Sequence, residues 1–372
     1  MVELCCALLG GWAAVLAVAI TVLNLLRLQR FHRVPEWVAL PVDGLMEFLA
    51  ADGLGERIAR RLAGLKSDCP VGIAADVQRM IMEAPLPGWM EDELSSVSFI
   101  SGPAAGYVSV RSSADDEDGA AHSFAGVHES FLYVRGAVSV AHHVRRVWAS
   151  GYQERALLYR QAKGLEPHPV PMAVVIQRMV DAAVSGVVFT ADPVSQDPLT
   201  LVVSALYGLG EGLVRAGLAA DQVCYRKATR VAKQTPAHKE TRYVLDRAAG
   251  EGLVEEPVPA EARDLPALSD AQRDAVIQAA LSIEKSWRRP QDIEFCFDAH
   301  GALYILQTRD ITTVADAGPA AGNMQVWDNS NIIESYSGVT SPMTFSFIRH
   351  AYTVVYHAMA PHELLQVYRE ME

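Results

Sequence analysis

Few folds are open to the stretch from Pro290 to Thr313. Asp292 to Phe297 alternates polar and apolar residues. That places Asp292, Glu294 and Cys296 on one face and Ile293, Phe295 and Phe297 on the other, as in a strand with one buried side. Asp298 to Gly301 supplies turn chemistry, and Leu303 to Arg309 returns as a second strand rich in β-formers. With four residues in the loop, Asp292 falls opposite Gln307 and Glu294 opposite Ile305. Glu294 and Gln307 are then diagonal neighbours on one face, which Arg309 shares.

Two carboxylates on one sheet face repel unless a cation stands between them. Carboxylate and amide oxygens are hard ligands that suit Mg²⁺, which fills its remaining positions with water and substrate phosphates. A nearby arginine suits the phosphates. The alternative is an edge hairpin whose charges face water.

The stretch PQDIEFCFDAHGALYILQTRDITT resembles the end of the ATP-binding domain shared by phosphoenolpyruvate synthase, pyruvate phosphate dikinase and rifampicin phosphotransferase. The resemblance implies that Glu294 and Gln307 hold Mg²⁺, that Arg309 contacts the ATP phosphates and that Asp292 supports them.

Further segments resemble the same family in order. VRSS at 110–113, an acidic loop and SFAGVHES at 123–130 imply phosphate contacts from Arg111 and Ser112, with a loop around Gly126 closing over the nucleotide. Backbone N–H groups near a glycine can do this because the main chain approaches closely. The apolar run MAVVIQRMV at 172–180 reads as a buried strand followed by a second strand, SGVVFT. The resemblance implies that adenine sits against exposed strand backbone around Gln177, Met179 and Val180. It also brings Glu211, in YGLGEGLV, near the nucleotide. GLGEG by itself fits neither a Rossmann nor a Walker A pattern.

The scaffold reads more plainly. Pro41 to Glu93 reads as helices, as does Val138 to Ala162, where Arg145, Arg146 and Arg155 fall outside the apolar stripe. The adjacent His142 and His143 read as surface or capping residues. Ala228 to Leu268 reads as peripheral excursions or loops. Ser269 with Gln272 forms a capping box before a helix from Ala275 to Trp287.

With 372 residues, half of them hydrophobic, the chain can bury a sizeable core. Its net charge of −12 argues against a nucleic-acid surface. The five cysteines, Cys5, Cys6, Cys69, Cys224 and Cys296, show no paired metal spacing and no disulfide framework, which fits a reducing compartment.

Leu4 to Leu26 carries no charge, and at about 1.5 Å per residue it is long enough for a hydrocarbon core of about 30 Å. It reads as a possible transmembrane helix. Arg27, Arg30 and Arg33 follow, which would place the remainder in the cytoplasm. A buried helix is the alternative. NLLRLQRFHRVPEW, from Asn24, resembles the family segment that follows a Gly-Gly-Lys motif, with Ala19, Ile20 and Thr21 at those positions and no lysine before Lys66.

The expected architecture is α+β, an ATP-grasp-like pair of lobes clamping Mg-ATP. Its parts are an apolar segment at 1–27, lobes at 28–170 and 171–315, and at 316–372 a linker leading toward a phosphohistidine domain that is absent. The family chemistry passes the ATP β-phosphoryl group to a histidine and releases AMP, with Arg111 and Arg309 neutralising developing charge. Two functions are expected: a phosphotransferase module working with a separate phosphohistidine and pyruvate-binding partner, or a non-catalytic nucleotide-binding module tethered at a membrane.

Overall fold

The described residues form three antiparallel sheets with helices packed on them. In the computed structural model, residues 20–66, 70–113, 129–162, 164–214 and 217–311 are described. All belong to one compact unit, Met1–Pro319; the second unit, Ala320–Glu372, and with it most of the linker segment expected from 316, lies outside them.

The first sheet has the order β1-β4-β2-β3, built from Trp37–Leu40, Ala173–Arg178, Tyr107–Ser113 and Ser130–Arg135. β4 is buried almost throughout, as its apolar run requires. The helices Val42–Ala50, Leu54–Leu62, Pro70–Glu83 and Ala137–Ser150 cover the sheet with apolar side chains, among them Phe48 against Trp148 at 5.0 Å between ring centroids. The helix expected over Val138 to Ala162 is two helices, Ala137–Ser150 and Glu154–Ala162. A lobe boundary at 170/171 would cut β4 from β1 and β2, its partners on either side; the change of sheet comes after Arg178.

The second sheet runs β12-β11-β5-β6-β7-β8: Leu303–Asp310, Gln291–Asp298, Ala182–Phe189, Thr200–Tyr207, Asp221–Arg226 and Val231–Thr235. Ile293, Phe295, Phe297 and Val188 meet Ile277, Ala280 and Ile283 of the helix Asp270–Trp287 in its core. That helix starts with the expected capping box: Ser269 Oγ accepts the Gln272 N–H, and Gln272 Oε1 accepts the Ser269 N–H.

Two further expectations are corrected. Of the two readings of Ala228 to Leu268, loops give way to excursions built of strands: it contains β8 at the edge of the second sheet and the paired strands β9, Thr241–Leu245, and β10, Leu253–Pro257. Its anchor is a buried ion pair between Lys239 and Asp221, each side chain only 1% exposed. The Asp221 carboxylate also accepts the Ala237 and Ala267 N–H groups. None of these strands carries a buried residue, so no apolar alternation marked them in the sequence.

The apolar N-terminal run is the second. Its residues before Ile20 lie outside the described ones, but Ile20–Leu28 is a helix packed into the second core through Val22, Leu25 and Leu28. Burying each of the two leucines is worth roughly 1.5–3 kcal/mol. Asn24 is buried as well, donating to the Thr308 carbonyl at 2.9 Å and accepting the Trp287 indole N–H at 3.0 Å. Residues 20–26 of the expected membrane span are thus spoken for by the folded unit. Among the described residues no helix is long and apolar enough to cross a membrane.

Candidate functional site

Two sheets contribute to one cleft of about 910 Å³. One wall is β2 and the end of β4, bringing Arg111, Ser112, Gln177, Met179 and Val180; the other is β5, the loop reaching Glu211, and the hairpin with Glu294, Gln307 and Arg309. Nine of the residues singled out in the sequence therefore meet in one cavity. Gly126 lies outside the described residues. Asp292 lies behind the cleft rather than in its lining, with its side chain 9% exposed.

The hairpin register differs from expectation. Asp292 pairs with Arg309 and Glu294 with Gln307, while Phe295 pairs with Ile305 and Phe297 with Leu303. The shift between Glu294 and Phe295 leaves Leu306 as an extra residue on β12. Glu294 and Gln307 are consequently direct rather than diagonal neighbours, a relationship in which Cβ atoms lie about 4.5–5.5 Å apart.

The electrostatics also differ. Arg309 Nε donates to Asp292 Oδ2 at 2.6 Å. One terminal nitrogen of Arg111 reaches both oxygens of Glu294, at 3.0 and 3.2 Å. Each carboxylate that called for a cation has a guanidinium beside it. Among the described residues no cluster of three or more His, Cys, Asp or Glu could hold a metal alone. Glu294 and Gln307 still fit Mg²⁺: a directly opposed carboxylate and amide give two hard oxygens, and nucleotide phosphates and water would complete the set.

The strand proposed for adenine is not an exposed edge. Gln177 pairs with Trp37 on one side and Ser109 on the other, and its side chain donates to the Leu306 carbonyl at 3.4 Å. The Arg178 and Met179 N–H groups are already given to the Glu36 and Tyr107 carbonyls, both at 2.8 Å. The strand's central place in the sheet was invisible in its own sequence.

Sequence reasoning missed several residues lining the cleft. Arg146 and Arg155, read as pointing outward, line it. Arg146 lies over the Phe131 ring at 4.2 Å and 3.6 Å from Glu129, whose carboxylate also accepts the Gln153 amide at 2.7 Å. A helical stripe separates core from not-core, and a cleft counts as the latter, so no signal distinguished these arginines. His143 is half-buried against Phe131, with Nδ1 at 2.8 Å from the Ser139 carbonyl, and burial holds its pKa below the ordinary value. Cys296 lies on the cleft floor beside Gly186, where a Cβ would collide with the Ser204 carbonyl and the Phe295 ring. Burial, then the Asp298 charge, pushes the Cys296 thiol up to about 12.

Residues 7–326 match the family described as pyruvate phosphate dikinase, AMP/ATP-binding domain. The chain belongs to that family. A probable phosphoenolpyruvate synthase of Methanocaldococcus jannaschii is 32% identical over 76% of this chain and 24% of its own length. Rifampicin phosphotransferase of Streptomyces sviceus is 37% identical over 65% of this chain and 27% of its own. Phosphoenolpyruvate synthase of Neisseria meningitidis serogroup B is 35% identical over 75% of this chain and 38% of its own. This member of the pyruvate phosphate dikinase domain family thus spans 24% to 38% of the length of those three relatives. Among solved structures, the D-alanine-D-alanine ligase of Coxiella burnetii aligns over 82% of this chain and 50% of its own at 8% identity, with a TM-score of 0.31, too slight to carry an argument.

Proposed function

We propose that this chain binds Mg-ATP as the nucleotide module of a phosphoenolpyruvate synthase-like phosphotransferase, in an ATP-grasp-like, two-lobed arrangement. The observation that carries the reading is the convergence of Arg111, Glu294, Gln307 and Arg309, from two separate sheets, on one cleft large enough for a nucleotide.

In this reading Glu294 and Gln307 hold Mg²⁺ and Arg111, Ser112 and Arg309 hold phosphate oxygens, with the Gly126 loop over them. Asp292 keeps the Arg309 guanidinium aimed along the hairpin. Glu211 and the exit of β4 at Gln177, Met179 and Val180 border the nucleoside. Since two N–H groups there are engaged, an adenine edge would meet main-chain carbonyls or the Val180 N–H. Bound Mg²⁺ would neutralise phosphate charge and orient the chain of phosphates. Arg111 and Arg309 would offset charge that develops as the phosphoryl group leaves for a histidine on a partner domain, with AMP as the other product.

A second reading, nucleotide binding without transfer, is favoured by Thr21. It stands where the resemblance places a phosphate-binding lysine, and it is buried in the first turn of the Ile20–Leu28 helix.

Calorimetry of the full chain with Mg-ATP tests the site: binding is expected, weakened about tenfold or more by Glu294→Ala and by Arg309→Ala, or about 1.4 kcal/mol. No binding by a folded parent would reject the reading. Given binding, phosphoryl transfer to an added phosphohistidine domain separates the two functions.

A further inference from the structure

We infer that Arg111 and Glu294 form one exchangeable pair that makes nucleotide binding depend on the metal and metal binding depend on the nucleotide; this rests on the Mg-ATP reading above. Arg111 belongs to β2 in the first sheet and Glu294 to β11 in the second, so their contact spans the cleft. It is a two-oxygen contact, at 3.0 and 3.2 Å, between side chains only 23% and 27% exposed.

The pair ties up the two groups that a metal-nucleotide complex needs. The cation that a triphosphate seeks is neutralised by the carboxylate that a divalent metal seeks. Metal-free ATP must draw Arg111 away, and Glu294 is then left facing phosphate oxygens of its own sign. A metal ion alone must draw Glu294 away, and a cation is then left facing a guanidinium. Only the two ligands together restore every pairing: Glu294 turns to the metal and Arg111 to the phosphates.

The neighbouring pair behaves differently. Arg309 and Asp292 are cross-strand partners within one hairpin, and Asp292 sits behind the cleft, so a phosphate can approach the guanidinium without breaking their contact. Gln307 is neutral and offers an oxygen with no charge to reassign. The mutual dependence of metal and nucleotide therefore resides in the Arg111–Glu294 contact, and the coupling it creates is reciprocal.

The test measures ATP binding in EDTA, and Mg-ATP binding, by calorimetry on the full chain. Glu294→Gln is expected to tighten metal-free ATP by about tenfold, within the usual range for coupled sites, while weakening Mg-ATP. Gln307→Ala is expected to weaken Mg-ATP without that gain. A parent that binds Mg-ATP, together with a Glu294→Gln protein that gains nothing for metal-free ATP, overturns the inference while leaving the site intact. A parent that binds neither form rejects the Mg-ATP reading and this inference with it. If Glu294→Gln does not fold by circular dichroism, Arg111→Gln decides from the other side: it should bind Mn²⁺ without nucleotide about tenfold more tightly than the parent, read by electron paramagnetic resonance. No gain there overturns the inference.

Discussion

Glu294 and Gln307 stand directly across from each other in the β11–β12 ladder, and the extra residue Leu306 makes that possible. Ile305 is buried against Phe295 in the second core. Strict alternation from Ile305 would send Gln307 and Arg309 to the same buried face. One inserted residue reverses the phase, so apolar Ile305 and the polar pair beyond it can each face the right way.

Deleting Leu306 should therefore be damaging out of proportion to its size. Alternation would be restored, forcing either Ile305 into the cleft or Gln307 and Arg309 into the core. Urea denaturation is expected to show a loss of about 3 kcal/mol or more. A deletion variant with an unchanged midpoint would mean that the bulge does not set the phase.

The Ile20–Leu28 helix should behave as part of the core. Asn24→Ala removes a donor to Thr308 and an acceptor for Trp287, leaving the buried Thr308 carbonyl and the half-buried Trp287 indole without those partners. A loss of about 2–3 kcal/mol is expected. Trimming the chain to begin at Arg27 removes Val22, Asn24 and Leu25 together, and thermal melting should fall further still. If the trimmed protein melts like the parent, the helix is dispensable.

Lys239 and Asp221 give a sharper contrast. Lys239→Met strands a carboxylate that is buried beneath the 236–268 segment, with an expected cost of about 3–5 kcal/mol. Replacing both partners with apolar residues should cost less than the single change, since no charge is then left buried. Equal costs in chemical denaturation would show that the pair acts through its shape alone.

Alkaline pH probes Cys296. Its folded pKa, about 12, is raised from an ordinary 9.0, so above pH 9 the unfolded chain loses its proton first. Stability from this group is fully present below pH 9 and is lost as pH rises toward 12, with a slope of up to about 1.4 kcal/mol per unit. Tyr133, raised from 10.0 to about 12, adds to the same fall. Cys296→Ala should flatten the stability curve between pH 9 and 12, and an unchanged slope would contradict the assignment. Exposed Cys224 should react with a thiol reagent at pH 8 while Cys296 stays protected until unfolding.

Much of the site was legible because its parts are local. The apolar run of β4 and the two strands around Asp298 each announce themselves within a few residues, through alternation, β-branching and turn chemistry, whereas Arg111, Ser112 and Ser113 read as a polar loop and prove to be the end of β2. What stayed hidden depends on partners far along the chain. Arg111 finds Glu294 across the cleft, and Asn24 finds Thr308 and Trp287. The amphipathic pattern of residues 137–150 could not tell Arg146, over Phe131, from an arginine in open water.

By itself the sequence determined the two hairpin strands, the buried strand at 173–178, the capping of the Asp270–Trp287 helix, and the chemical identity of the cleft's side chains, because propensity and periodicity act over short stretches. The tertiary structure alone decided the register of the hairpin, the burial of Ile20–Leu28 at the end of the apolar run, and the neutralisation of two acids by two arginines. Those outcomes turn on which surfaces meet and which charges lose water together, and such energies exist only once distant segments are in contact.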